Sequence, residues 1–344
     1  LKESGKIIHN ASIKGQCSED NFYGCRDNEE LMTIMELDVK HILDDFRKVK
    51  NNKDLQELYS SNHFSKIYIA ILLQRTRTEL ETQKMKFRVD GLVNEYLKDA
   101  IRLDKNAHKL LKDNVDSLNF EYPHEYYVGL HMQNIYPGCH YLTDLGIHVL
   151  KNKTRIPFIF GDSPVVFYNQ YYRNVTSRGV LGFSTPGLMI FYPLSTDTIL
   201  LLLDETVYEC PWKDDCVYEV TEEFDIKHLN KLQLHNAYKS IYFTNSMPEK
   251  VVSRYWKQEK SSLKPIMNGF SKRPMLVDGK LVEDVMVGTE HHIPYFLQLS
   301  FIQSEIIEDH EYKFRRRDQD LHEFVKELEQ NKEERLTKLY HQNK

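Results

Sequence analysis

Glycine and cysteine are scarce in this 344-residue chain, at 14 and 5 residues, and proline is limited to 11. So little glycine and proline excludes a collagen-like or low-complexity chain. The cysteines at 17, 25, 139, 210 and 216 form no CxxC pair, and their odd number closes no disulfide framework, so reduced thiols are the simplest expectation. Long apolar runs are missing too. The longest stretches, 67–73 and 198–203, fall far short of the roughly 18 to 20 residues that cross a bilayer, so no membrane span and a cytoplasmic location are expected. Positive charge is not in excess either. Lys plus Arg is 46 against 51 for Asp plus Glu, a net charge of −5, which opposes a general polyanion-coating role. The chain starts at Leu1 without a charged-then-apolar signal layout, and its start reads as trimmed.

Familiar catalytic signatures are also absent. There is no GxxxxGK[ST] loop, GxGxxG, HExxH or GxSxG elbow. Gly182-Phe183-Ser184-Thr185-Pro186 resembles the elbow only superficially, because Pro186 replaces the second glycine, and Ser184 reads as loop rather than nucleophile. Three Asn-x-Ser/Thr triplets, at Asn10, Asn152 and Asn174, matter only in a secreted chain.

What is present is bulk: 21 Tyr, 17 Phe, 41% hydrophobic and 28% charged residues, enough for a substantial core and a solvated surface. Leu31, Ile34, Met35, Val39, Ile42, Leu43 and Phe46 recur at three and four, one apolar helix face. Further helical periodicity covers 53–60, 63–81, 93–111 and 124–136. Short apolar or β-branched runs at 146–150, 157–160, 165–168, 188–192 and 198–203, separated by turn residues, read as strands of an antiparallel meander. The fold class expected is α+β, with a mainly helical N-terminal half, an antiparallel sheet in the middle and a helical C-terminal tail. A single domain over 1–258 (helical 28–140, β-rich 145–205, helical 224–258) is followed by an irregular or mixed extension, 259–303, and a charged amphipathic helix, 304–344.

A few polar residues stand out. Asp162, in Gly161-Asp162-Ser163-Pro164-Val165-Val166, sits at a strand end. It is either an Asx-type turn residue accepting backbone N–H groups or a carboxylate presented to a cleft as metal ligand or general base. Gln74 and Arg75 border an apolar helical stripe, where a guanidinium needs an anionic partner: Glu79 or another core carboxylate, or else Asp162 or an anionic substrate. His124 and His131 share a helix face seven residues apart, a spacing weak for zinc. His291-His292-Ile293-Pro294 reads as a turn or helix entry. Arg315-Arg316-Arg317 could meet phosphate, but Asp318, Asp320, Glu323 and Glu327 follow, which favours a paired, solvated helix face.

As a set, several segments resemble the mainly bacterial family known as domain of unknown function 4238. They are Asn21-Phe22-Tyr23-Gly24, Leu73-Gln74-Arg75-Thr76, Asn152-Lys153-Thr154, the run from Pro157 to Val166, the run from Gly187 to Ser195, and Leu229-Asn230-Lys231-Leu232-Gln233. The likeness spans roughly 10–245. The family opens with a His-Tyr-Val-Pro-Gln segment not found here, and its usual Thr-Ser-Asp-Asn-Pro-Val is replaced around Asp162, although Asp162 and Pro164 are kept. The resemblance implies an antiviral-defence setting.

Two functions are therefore expected as alternatives. One is a defence effector, a metal-dependent nuclease or nucleotide hydrolase. Asp162 would hold Mg²⁺ or Mn²⁺, Gln74 and Arg75 would orient phosphate, His131 would serve as acid or base with Asp162, and the partner would be nucleic acid or nucleotide. The other is a non-catalytic binding or sensor module, in which Gln74, Arg75 and Asp162 form a buried network and the 304–344 helix offers a surface for a protein partner or self-association.

Overall fold

The computed structural model describes the chain apart from residues 13–21, 25, 62–63, 177–178, 212–214, 264–267, 278–279, 291 and 343–344. Cys17, Cys25, Asn21, His291 and the turn residues Asp278 and Gly279 thus lie outside the described residues.

The helical half comprises α1 (Arg26–Lys48), α2 (Asn52–Tyr59), α3 (Lys66–Thr76), α4 (Glu79–Leu103), α5 (Lys105–Leu111), α6 (His124–Gln133) and α7 (Ile135–His140). The periodic stretch 63–81 is broken where a single helix is expected. Thr78 adopts extended backbone (φ −100°, ψ 145°), and its hydroxyl accepts from the Glu81 N–H at 3.5 Å, so it ends one helix and caps the next.

The sheet follows: β1 (Gly146–Asn152), β2 (Phe160–Gly161), β3 (Val166–Asn169), β4 (Leu188–Pro193), β5 (Thr198–Leu203) and β6 (Val217–Val220). Five strands pair in the order β3-β4-β5-β1-β6. It is not a meander. β1 lies between β5 and β6, antiparallel to the first (Val149 opposite Leu200) and parallel to the second (Val149 opposite Val217), so the sheet is mixed. Both faces are covered, which explains why β4 and β5 are buried at every position and lack a polar alternation.

On one face Ile147, Val149, Phe167, Ile190, Leu200 and Leu202 meet α1, α2, α3 and α7. On the other, Leu150, Tyr168, Phe191, Leu201 and Leu203 meet α8 (Glu223–Asn236) and residues 293–302. That last stretch joins no strand, yet Ile293, Tyr295, Leu297, Leu299 and Phe301 are buried while Pro294, Phe296, Gln298 and Ser300 are exposed. It is an extended strap with a period of two. Tyr168 Oη accepts from Leu297 N (3.0 Å) and donates to Tyr295 O (3.1 Å), while Asp225 accepts from Ser300 N and Oγ, both at 2.7 Å.

The remaining elements are β7 (Ile241–Tyr242), paired with β2, then α9 (Glu249–Glu259), and a hairpin of β8 (Asn268–Val277) and β9 (Lys280–Glu290) within the region read as irregular. The terminal helix is shorter than 304–344: α10 runs Gln319–Gln342, because Asp318 caps it by accepting from Leu321 N at 2.9 Å. Residues 304–318 carry the chain on from the strap instead, with a 3₁₀ turn at Asp309–Glu311. Among the described residues no helix is long and apolar enough to cross a membrane.

Leu201 is wholly buried at the centre of the sheet. Leu201→Ala should lower the unfolding free energy in a urea titration by about 3 kcal/mol. Leu328→Ala, on the exposed side of α10, should stay within about 0.5 kcal/mol.

Candidate functional site: a basic cavity in the helical half

The break at Thr78 turns the chain back on itself. It brings Arg75, in the last turn of α3, beside Glu81, in the first turn of α4. Glu81, Lys84 and Arg88 follow at i, i+3 and i+7, one face of α4. Glu81 Oε2 receives Arg75 Nε at 3.2 Å and its Oε1 receives Lys84 Nζ at 2.6 Å, all three side chains being buried. The Arg75 guanidinium carbon also sits over the Phe167 ring of β3, 3.6 Å from its centroid.

α6 adds the histidine. Tyr127 donates to Asp90 of α4 at 2.5 Å, and four residues on, His131 Nε2 lies 2.9 Å from the Glu81 carbonyl oxygen. A carbonyl only accepts, so Nε2 carries the proton and Nδ1 keeps the lone pair of the neutral ring.

Arg75, Glu81, Lys84, Arg88 and His131, together with Leu72, Ile135 and the 181–183 segment, line a cavity of about 320 Å³. Among the described residues its wall holds three cationic side chains, Arg75, Lys84 and Arg88, and the carboxylate of Glu81. Arg88 is exposed and has no ion-pair partner among the described residues. Burial alone would raise the Glu81 pKa, but the charges of Arg75 and Lys84 outweigh it and hold the carboxyl far below its ordinary 4.5. Burial pulls the His131 pKa below 6.5 against the opposing pull of Glu81, so the ring is neutral at pH 7.

Of the residues expected at a site, Arg75 and His131 share this cavity. Gln74 does not line it: its Oε1 accepts from Arg77 at 2.5 Å, and Arg77 pairs with Glu36 of α1 at 2.5 Å. Asp162 also lies outside the cavity. Its Oδ1 accepts from Tyr238 N (2.7 Å) and its Oδ2 from Lys239 N (2.7 Å) and Ser240 N (2.8 Å), so it accepts backbone N–H groups as the turn reading expects, but those of a distant turn at 238–240 and not the local ones of an Asx-type turn. A carboxylate committed to three amides does not fit the role of ligand for Mg²⁺ or Mn²⁺. Among the described residues no group of three or more His, Cys, Asp or Glu gathers to hold a metal ion. Among the described residues Arg75 pairs with Glu81, a core carboxylate other than Glu79.

The segment around Asp162 is instead stitched to α8. Asn230 accepts from Ile159 N (3.0 Å) and donates to Pro157 O (3.0 Å), Gln233 accepts from Gly161 N (3.0 Å) and donates to Pro164 O (2.9 Å), and Asn236 donates to Ser163 O (2.6 Å). The cysteines supply no activated nucleophile among the described residues. Burial pushes the Cys139 and Cys210 thiols up to about 12 and raises Cys216.

Glu81, Lys84 and Arg88 were not singled out by sequence. The available signal was Thr78-Glu79-Leu80-Glu81, the pattern of a capping box, which marks a helix start inside a stretch that periodicity alone runs through.

Fold and cavity define an α+β protein with a mixed sheet covered on both faces and a ligand-sized basic cavity among its helices. The chain belongs to the family described as protein of unknown function DUF4238, which it matches over residues 1–247. No curated protein and no solved structure matches it.

Glu81→Gln removes the carboxylate that two buried cations share, and at pH 7 should cost about 3 to 5 kcal/mol in a denaturant titration. Because the folded-state pKa of Glu81 is depressed, its stabilisation is present above the unfolded value near 4.5 and lost as the pH falls below it. The stability curves of the variant and the parent should therefore converge in acid.

Proposed function

We propose that the protein binds a phosphorylated small molecule of nucleotide size in the Arg75–Lys84–Arg88 cavity and hydrolyses it. The carrying observation is the cavity wall, where the described residues place three cations, the buried carboxylate of Glu81 and a neutral histidine. Arg88 and Lys84 offer charge to phosphate oxygens, and the guanidinium of Arg75 is held in position by Glu81 and Phe167. His131 Nδ1, on a ring oriented through Nε2, is the base that takes a proton from attacking water. A cavity of about 320 Å³, near the lower bound of roughly 300 Å³ for small-molecule sites, favours a nucleotide over a nucleic-acid chain. The net charge of −5 points the same way. An effector role in antiviral defence and a cytoplasmic location belong to this proposal on the family setting alone. Asp162 takes no part in it.

The alternative, binding without turnover, is favoured by the pairing of Glu81 with two cations, which among the described residues of the wall leaves His131 alone suited to proton transfer near neutral pH. Calorimetry and product chromatography with a panel of nucleoside mono-, di- and triphosphates separate the two. Arg88→Ala should weaken binding about fivefold or more at an unchanged Tm, since an exposed side chain costs little stability. His131→Asn should abolish turnover and retain binding, whereas Asp162→Asn should lower Tm and leave turnover intact. Binding without turnover selects the sensor reading. Failure of every nucleotide to bind, or indifference to Arg88→Ala, rejects the site.

A further inference from the structure

The loop 179–187 is held in two different ways. Its base is locked from the core. The buried Asn169 side chain donates to Val180 O (2.9 Å) and Pro186 O (2.8 Å), and Asp204 Oδ2 accepts from Gly187 N (2.7 Å), where φ is +75° and a Cβ would run into Tyr171. Its tip is held from outside, by the strap. Arg317 N donates to Ser184 O at 2.8 Å, and the guanidinium donates to Phe183 O (2.9 Å), Thr185 O (3.1 Å) and Tyr141 O (2.7 Å). The same guanidinium grips both oxygens of Asp144 at 2.6 Å, a planar fork on a carboxylate, and the side chain is only 2% exposed. Arg316 adds a bond to Ser184 Oγ at 3.0 Å.

This tip is a wall of the basic cavity, to which it contributes Leu181, Gly182 and Phe183. Phe183 meets Phe167 edge to face at 6.0 Å between centroids, and Phe167 is the ring on which Arg75 lies. A continuous line of packed groups thus runs from Arg317 through Phe183 and Phe167 to the guanidinium in the cavity. The Arg315–Arg317 triplet does not form the solvated helix face read from its charge pattern. Its last member is inserted into the fold, upstream of α10.

We propose that the C-terminal strap is a latch, with Arg317 as its positioning residue, that sets the loop wall of the cavity and through it the placement of Arg75. Residues 304–318 lie beyond the family-matched region 1–247, and the latch would offer that region a point of control. A pull on α10, or a partner that competes for Arg317, would loosen the wall while Asn169 and Asp204 keep the loop base in register. Release of the buried Arg317–Asp144 fork would be the second state that such coupling needs.

The latch itself stands on contacts alone, whereas its effect on affinity rests on the anion reading of the cavity. In the full chain, Arg317→Lys keeps the charge and loses the fork. Hydrogen exchange over 182–185 should then quicken by about tenfold or more while exchange in α4 stays constant. Inorganic pyrophosphate, used as the probe, should bind about threefold or more weakly by calorimetry. If Arg317→Lys fails to fold, the double variant Arg316→Ala, Ser184→Ala should show the same pattern in smaller measure. Unchanged exchange at 182–185 overturns the latch, and faster exchange with unchanged pyrophosphate affinity overturns its coupling to the cavity. If the parent chain binds no pyrophosphate, the anion reading falls, and the exchange result alone decides the latch.

Discussion

Burial of the five-stranded sheet on both faces is the constraint from which the remaining architecture follows. β4 and β5 expose almost nothing, and a sheet that apolar must find two covers. One cover is the α1–α3 and α7 layer. The other is α8 together with the strap 293–302, whose alternating side chains lie against the sheet without joining it. Because the strap must cross that second face, the chain emerges near the 179–187 loop, and Arg317 reaches Asp144 from there. Packing of the core thus determines where the C-terminal segment can act.

The cavity is a product of a helix break. Had α3 continued through Thr78, Arg75 and Glu81 would lie six residues apart, about 120° around one helix and about 9 Å along it. The cap at Thr78 folds them together, and desolvation then makes their pairing obligatory, since a buried guanidinium without a carboxylate is far more costly than the pair. Lys84 and Arg88 lie on the same face of α4 at no further conformational cost, and they tip the wall toward positive charge.

The segments by which the family is recognised do different work. Those from Pro157 to Val166 and from Leu229 to Gln233 meet through the amide side chains of Asn230, Gln233 and Asn236, and Asp162 secures the following turn at 238–240. They hold a strand-poor segment to a helix by satisfying backbone groups that no sheet partner reaches. Leu73-Gln74-Arg75-Thr76, by contrast, reaches both α1, through Gln74 and Arg77, and the cavity, through Arg75. A recurring carboxylate at a strand end is thus a poor guide to chemistry until its hydrogen bonds are counted.

By itself the sequence located most of the helical stretches and the apolar strand runs, because period and run length are local properties of the chain. It also singled out Arg75 and His131, polar residues bordering apolar faces. It did not reveal that β1 joins β6 in parallel, that 293–302 is a strap, or that the hairpin of β8 and β9 exists, since each depends on a pairing between distant segments. The role of Asp162 was open for the same reason: a carboxylate reads identically in sequence whether water, a cation or three amides surround it. Only the tertiary structure brought Arg75, Glu81, Lys84 and His131 onto one wall and Arg317 beneath the loop beside it, because those encounters follow from a helix break and a sheet with two faces to cover.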